Sequence, residues 1–112
     1  WRKQADNVCR QSQTLLNEDA STIPVDSTGN PSAADFSAFM NDVVKPNYTQ
    51  VIGSIKALPA PSSLKAKAKK MLAQLQKATN AISASITLDE LDKLFATPTK
   101  TAKKLGLKVC GQ

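Results

Sequence analysis

Apolar residues recur along this chain at three- and four-residue steps in four separate stretches, the period of a helix that buries one face. The first stretch runs from about Lys3 to Glu18, with Ala5, Val8, Cys9, Ser12, Leu15 and Leu16 on one side. The second covers about Ser32 to Leu58 and places Phe36, Phe39, Met40, Val43, Tyr48, Val51, Ile52 and Ile55 in phase. Ser32 and Asp35 approximate a capping box at its start. Pro46 falls inside it, and a proline removes a backbone donor and crowds the preceding turn. A kink is therefore predicted near Asp42–Lys45, and the unbroken apolar phase favours a kink over two separate helices. The third helix is predicted over about Ser63 to Ser85, with Ser62 as its cap and Leu64, Ala68, Met71, Leu75, Ala78 and Ile82 as a narrow seam suited to a bundle. The fourth covers about Leu88 to Leu105. It opens on the capping box Thr87-Leu88-Asp89-Glu90, carries Pro98 in its middle, and closes on Lys103, Lys104 and a helix-stopping Gly106.

The connections differ in kind. Ala20 to Pro31 is the longest irregular segment and holds Ile23-Pro24 and Thr28-Gly29-Asn30-Pro31, all turn chemistry. Loops of this length more often carry function than short ones. Leu58-Pro59-Ala60-Pro61 is short and stiff, so the helices on either side of it are predicted to be antiparallel neighbours. Strand signals are nearly lacking. The reading is an all-α, up-down-up-down four-helix bundle occupying residues 1–112 as a single domain.

An even number of helices returns the chain to the end where it began, which is where the two cysteines of the sequence need to meet. Cys9 lies in the first helix and Cys110 follows the fourth. Redox pairs usually sit close together, as in Cys-x-x-Cys, whereas these are far apart, which favours a structural staple in an oxidising compartment. The competing reading is a cytosolic protein with two unrelated thiols. A secreted, lipid-anchored or ectodomain setting is expected, with a leader, anchor or membrane helix upstream of Trp1.

Composition narrows the chemistry. The sequence has no histidine, so the commonest general base and metal ligand are both missing. No metal and no cofactor are expected. Ser62 and Lys65 form a short Ser-x-x-Lys coincidence, too slight to predict an enzyme. Asp89, Glu90 and Asp92 read as helix-start acids rather than a cation site, and Asp26-Ser27-Thr28-Gly29-Asn30 lacks the closing glutamate of a calcium loop, with Ser37 in its place. No run of apolar residues is long enough to span a membrane.

The formal charge of +6 is unevenly placed. Residues 1–50 carry four basic and six acidic side chains, whereas residues 51–112 carry eleven basic and three acidic. Lys65, Lys67, Lys69, Lys70 and Lys77 on the third helix, with Lys93, Lys100, Lys103 and Lys104 on the fourth and Lys108 beyond it, are read either as a solvated surface or as a face for an anionic partner. Nucleic acid is disfavoured, because this half has no arginine and Phe95 is its single aromatic residue. A second candidate is the bundle interior, where Phe36, Phe39, Met40, Tyr48 and Met71 would line an apolar pocket if Pro46 bends the second helix away.

Four segments also resemble known proteins when taken together: Ala5-Asp6-Asn7-Val8-Cys9, Lys45-Pro46-Asn47-Tyr48, Leu58-Pro59-Ala60-Pro61 and Leu105-Gly106-Leu107-Lys108-Val109-Cys110-Gly111. They resemble small secreted or lipid-anchored helical-bundle proteins of actinobacteria, largely uncharacterised. The resemblance implies fold and compartment, and it transfers no catalytic residue. The expected function is a non-catalytic cell-envelope binding or accessory module, meeting an anionic polymer, a lipid surface or a protein partner through the lysine-rich face. The alternative is a carrier of a small apolar ligand near Pro46 and Tyr48.

Overall fold

The computed structural model describes residues 1–112 and is all-helical, with helices α1 (Arg2–Ala20), α2 (Ala33–Phe39), α3 (Lys45–Lys56), α4 (Lys65–Asn80) and α5 (Leu88–Lys104). A π-helical turn, Met40–Val44, links α2 to α3. Backbone angles stay helical throughout, at φ −60°, ψ −45° for Met40 and φ −61°, ψ −48° for Lys45, so the three segments form one rod. At Asp42–Lys45, where the kink is expected, the structure places this π-helical turn. Pro46 offers no N–H to the carbonyl of Asp42, and the wider turn lets the Lys45 N–H donate to Met40 five residues back.

Caps set the other ends. The Ser32 hydroxyl accepts from the Asp35 N–H at 3.1 Å, and the Thr87 hydroxyl accepts from the Glu90 N–H at 3.2 Å. The third predicted helix is shorter than its periodicity suggested. Ser62 does not cap it. Residues 62–64 form a turn closed by Leu64 N–H donating to the Pro61 carbonyl at 2.9 Å, and α4 starts at Lys65. It stops at Asn80, and Ile82 and Ile86 reach the core from the irregular connection that follows. By contrast, α5 runs through Pro98, which is buried.

α1 and α4 both pack on α3, and α5 packs on α4; no comparable packing joins α1 to α5. Two buried clusters fill the long molecule, whose principal extents are 51 × 22 × 19 Å. One gathers Ala5, Val51, Ile55, Met71, Ala102, Leu105 and Leu107. The other gathers Met40, Val44, Ile82 and Ile86, with the half-buried Phe36, Phe39, Tyr48 and Phe95 around them. The first lies beside the Cys9–Cys110 disulfide and is called the disulfide end below; the second is the aromatic end.

The disulfide has a sulfur–sulfur distance of 1.98 Å, with its Cα atoms 5.4 Å apart and a sequence separation of 101. The tail reaches it through a Schellman stop. Gly106 takes φ +84°, its N–H donates to Lys103, and the Leu107 N–H donates to Ala102, each at 3.1 Å. Leu107 is then buried in the disulfide-end core. The Asp6 carboxylate takes the next three amides, accepting from Lys108 at 3.0 Å, Val109 at 2.9 Å and Cys110 at 3.2 Å. Arg2 Nε donates to the Leu105 carbonyl at 2.7 Å, tying the first turn of α1 to the last of α5. Gly111 is buried so closely that a Cβ there would sit 2.6 Å from the Leu107 carbonyl oxygen.

Candidate functional site

Because α1 and α5 do not pack along their lengths, a cleft of about 330 Å³ opens between them. Leu16 of α1, Tyr48 of α3, Met71 and Leu75 of α4, and Phe95 of α5 form its apolar wall. Tyr48 stacks on Phe95 with ring centroids 4.4 Å apart and planes at 25°. Ser12 and Gln13 contribute polar atoms, and Asp92 is the cleft's single charged residue. Ser12 donates to Asn47 Oδ1, which joins α1 to α3 beneath the cleft. Burial pushes the Tyr48 phenol above its usual pKa, and the Asp92 carboxylate adds to that rise.

The predicted interior pocket is therefore divided. Tyr48 and Met71 meet in the cleft, whereas Phe36, Phe39 and Met40 belong to the aromatic-end core and do not line it. Pro46 is exposed and does not border it. The opening comes from the unpaired sides of α1 and α5 and not from a bent second helix.

A second, larger concavity of about 650 Å³ lies over the α3–α4 pair at the disulfide end. Trp1, Ile52, Leu58 and Leu72 supply apolar surface, and Lys56, Lys65 and Lys69 supply its charges. No acidic residue lines it. Neither the periodicity nor the composition pointed to this groove. The helix faces that form it carry the outer edges of the apolar seams, which look like ordinary boundary positions until the 57–64 connection folds over them.

The lysines occupy the solvent side of α4 and α5 without forming one plane. On α4, Lys65 and Lys69 share one edge by their four-residue spacing, Lys70 and Lys77 share another by their seven-residue spacing, and Lys67 lies between them and the core boundary. On α5, Lys93, Lys100 and Lys104 follow one stripe and Lys103 flanks it. All of these side chains are exposed.

The stronger pattern is lengthwise. Seven of the nine carboxylates (Glu18, Asp19, Asp35, Asp42, Asp89, Glu90 and Asp92) lie on segments that contribute to the aromatic-end cluster, and Asp26 lies in the loop between α1 and α2. The ninth, Asp6, is committed to three amides of the tail. Eleven of the fifteen basic residues (Arg2, Lys3, Lys56, Lys65, Lys67, Lys69, Lys70, Lys100, Lys103, Lys104 and Lys108) lie on segments surrounding the disulfide-end cluster.

The remaining candidates are quickly placed. Ser62 sits exposed in the turn before α4, and Lys65 is the first residue of that helix and borders the groove. Thr87 and Glu90 are engaged with each other in the cap, the Thr87 hydroxyl donating to Glu90 Oε1 at 3.0 Å. Asp26 organises its own loop, accepting from the Thr28 hydroxyl and the Thr28 and Asn30 amides, and these bonds hold its pKa below the usual range. No helix is long and apolar enough to cross a membrane. No protein-family model matches the chain, and no curated protein or solved structure matches it either.

Proposed function

We propose that this chain is a non-catalytic binding module of the cell envelope, an up-down-up-down bundle stapled by its disulfide, whose basic end docks on an anionic surface. The observation that carries this reading is the lengthwise separation of charge. Over a body 51 Å long, the acidic end lies several Debye lengths from the basic end, about 8 Å each at physiological salt. A surface approached by the lysine-rich end thus meets a cation cluster that the distant carboxylates do not cancel. The disulfide supports an oxidising compartment. The test is sedimentation with vesicles, with and without anionic lipid, in parallel with an anionic polysaccharide column, at rising salt. Retention should require negative charge and fall steeply with salt, and the two supports tell lipid from polymer. Equal retention on neutral vesicles, or no salt dependence, would defeat the reading. Charge reversal at Lys67 and Lys70 should weaken retention more than reversal at Lys77 and Lys93, which lie toward the aromatic end.

A second reading rests on the α1–α5 cleft, whose Tyr48, Met71 and Phe95 wall suits a small apolar ligand. Native mass spectrometry of protein purified from its own host should then show a co-purifying mass that a Met71→Trp variant no longer carries.

A further inference from the structure

We propose that the groove over α3 and α4 is a binding site for a single fatty acid, its acyl chain lying along the apolar floor and its carboxylate held by Lys56, Lys65 and Lys69. The groove has the volume of a small-molecule site and a floor of Ile52, Leu58, Leu72 and the Trp1 ring. From Lys65 to Gln76 it follows α4 for eleven residues, about 16 Å at the helical rise, the length of an extended medium-chain acyl group. The charges are gathered at one end of that path. Lys56 is the last residue of α3 and Lys65 the first of α4, so both flank the 57–64 connection, and Lys69 follows Lys65 by one turn. With no carboxylate lining the groove, the three ammonium groups have no internal partner there. An apolar trough with cations at one mouth matches a linear anion with one polar end. A neutral apolar ligand would leave the lysines idle, and a cationic one would be repelled. The α1–α5 cleft has the reverse character, with Asp92 as its charged side chain.

This site is independent of surface docking, since its ligand is a single soluble molecule and its test needs no vesicle. Trp1 is the only tryptophan in the sequence and it borders the groove but not the cleft, which makes its fluorescence a local reporter. Laurate bearing a terminal bromine, titrated below its micelle concentration, should quench Trp1 saturably, and plain laurate should reverse the quenching. Dodecylammonium should compete at least about tenfold more weakly, and the Lys65→Glu/Lys69→Glu protein should bind bromolaurate about tenfold more weakly, because each reversal exchanges a partly screened attraction for a repulsion. Ala73 is exposed and borders the groove, so Ala73→Phe should block the site while leaving the helical circular dichroism intact. Absence of saturable quenching, equal competition by the two head groups, or calorimetric binding without a Trp1 response would each overturn the proposal.

Discussion

The two ends of this molecule are held by different means. At the disulfide end the core is mainly aliphatic, with Ile55 1% exposed and Met71 fully buried. The tail there is fixed by a covalent bond, a Schellman stop and three amides on Asp6. At the aromatic end four buried residues are ringed by the partly buried Phe36, Phe39, Tyr48 and Phe95, and no crosslink is present. The same division runs through charge, since lysines surround the first end and carboxylates the second. Tight packing and dense positive charge therefore coincide. Closely spaced lysines repel one another, and a staple at that end offsets the repulsion without using surface charge for stability.

If that division is right, removing the staple is the largest single loss available. Closing a loop of about 100 residues contributes about 4–5 kcal/mol in the chain-entropy model. Cys9→Ser/Cys110→Ser should therefore lower the Tm by about 20 °C. A calorimetric scan in which the reduced and oxidised proteins melt together would break the comparison at its root. Next comes the core. Ile55→Ala should cost about 3–4 kcal/mol, whereas Phe36→Ala at the open end should cost about half as much, because its ring is only partly buried. Urea midpoints of the two variants measure this directly, and a reversed order would mean that the aromatic end is the true keystone.

The helical class and the cysteine pairing were legible in the sequence because both follow from simple patterns: one apolar face per stretch, and only two thiols, placed near opposite ends of the chain. Local chemistry also marked Gly106 as the stop of the last helix. Other features depend on which helices touch, and periodicity does not encode that. The interior pocket assigned to Phe36, Phe39, Met40, Tyr48 and Met71 assumed that one apolar seam faces one cavity. The rod through the π turn instead places all of Phe36, Phe39, Met40 and Tyr48 at the aromatic-end cluster, and only Tyr48 of these also borders the cleft. The overlong third helix has a similar cause. Ile82 and Ile86 continue the apolar phase, but they reach the core from irregular backbone. Asp6 was missed although its three-residue spacing from Cys9 places both on one face of α1, a usable hint that the tail would pass over it.

Asp6 provides a smaller and pH-dependent test of the stapled end. Burial tends to raise its pKa, but the amides of Lys108, Val109 and Cys110, with the Arg10 charge nearby, more than reverse this and leave it below its ordinary value. A carboxylate with a lowered folded-state pKa stabilises the fold above its unfolded pKa near 3.9, and that stability is lost as pH falls through the folded value. Asp6→Asn should cost about 1–2 kcal/mol at neutral pH through the lost charge-assisted bonds, and the gap to wild type should narrow as pH drops below about 4. Denaturation midpoints at pH 7 and pH 3 measure both quantities. A cost near zero at pH 7 would mean that the tail is held by the disulfide alone, and a cost that stays constant across this range would mean that the charge of Asp6 plays no part.

The smallest expected effect tests the open end. Tyr48 is the only tyrosine, so phenolate absorbance near its ionisation reports one site. Burial, then the Asp92 carboxylate, raises its pKa above the ordinary value near 10. A group with a raised folded-state pKa stabilises the fold below its unfolded pKa, and that contribution is lost as pH rises through the folded value. The titration midpoint should therefore lie above that of free tyrosine. It should fall part of the way back in Asp92→Asn, which removes the charge and leaves the stacking on Phe95 in place. Burial is the larger cause, so most of the shift should survive that substitution. A wild-type midpoint at the free value would mean that water reaches the phenol freely, and that the α1–α5 cleft is wide enough in solution to leave the aromatic end unsealed.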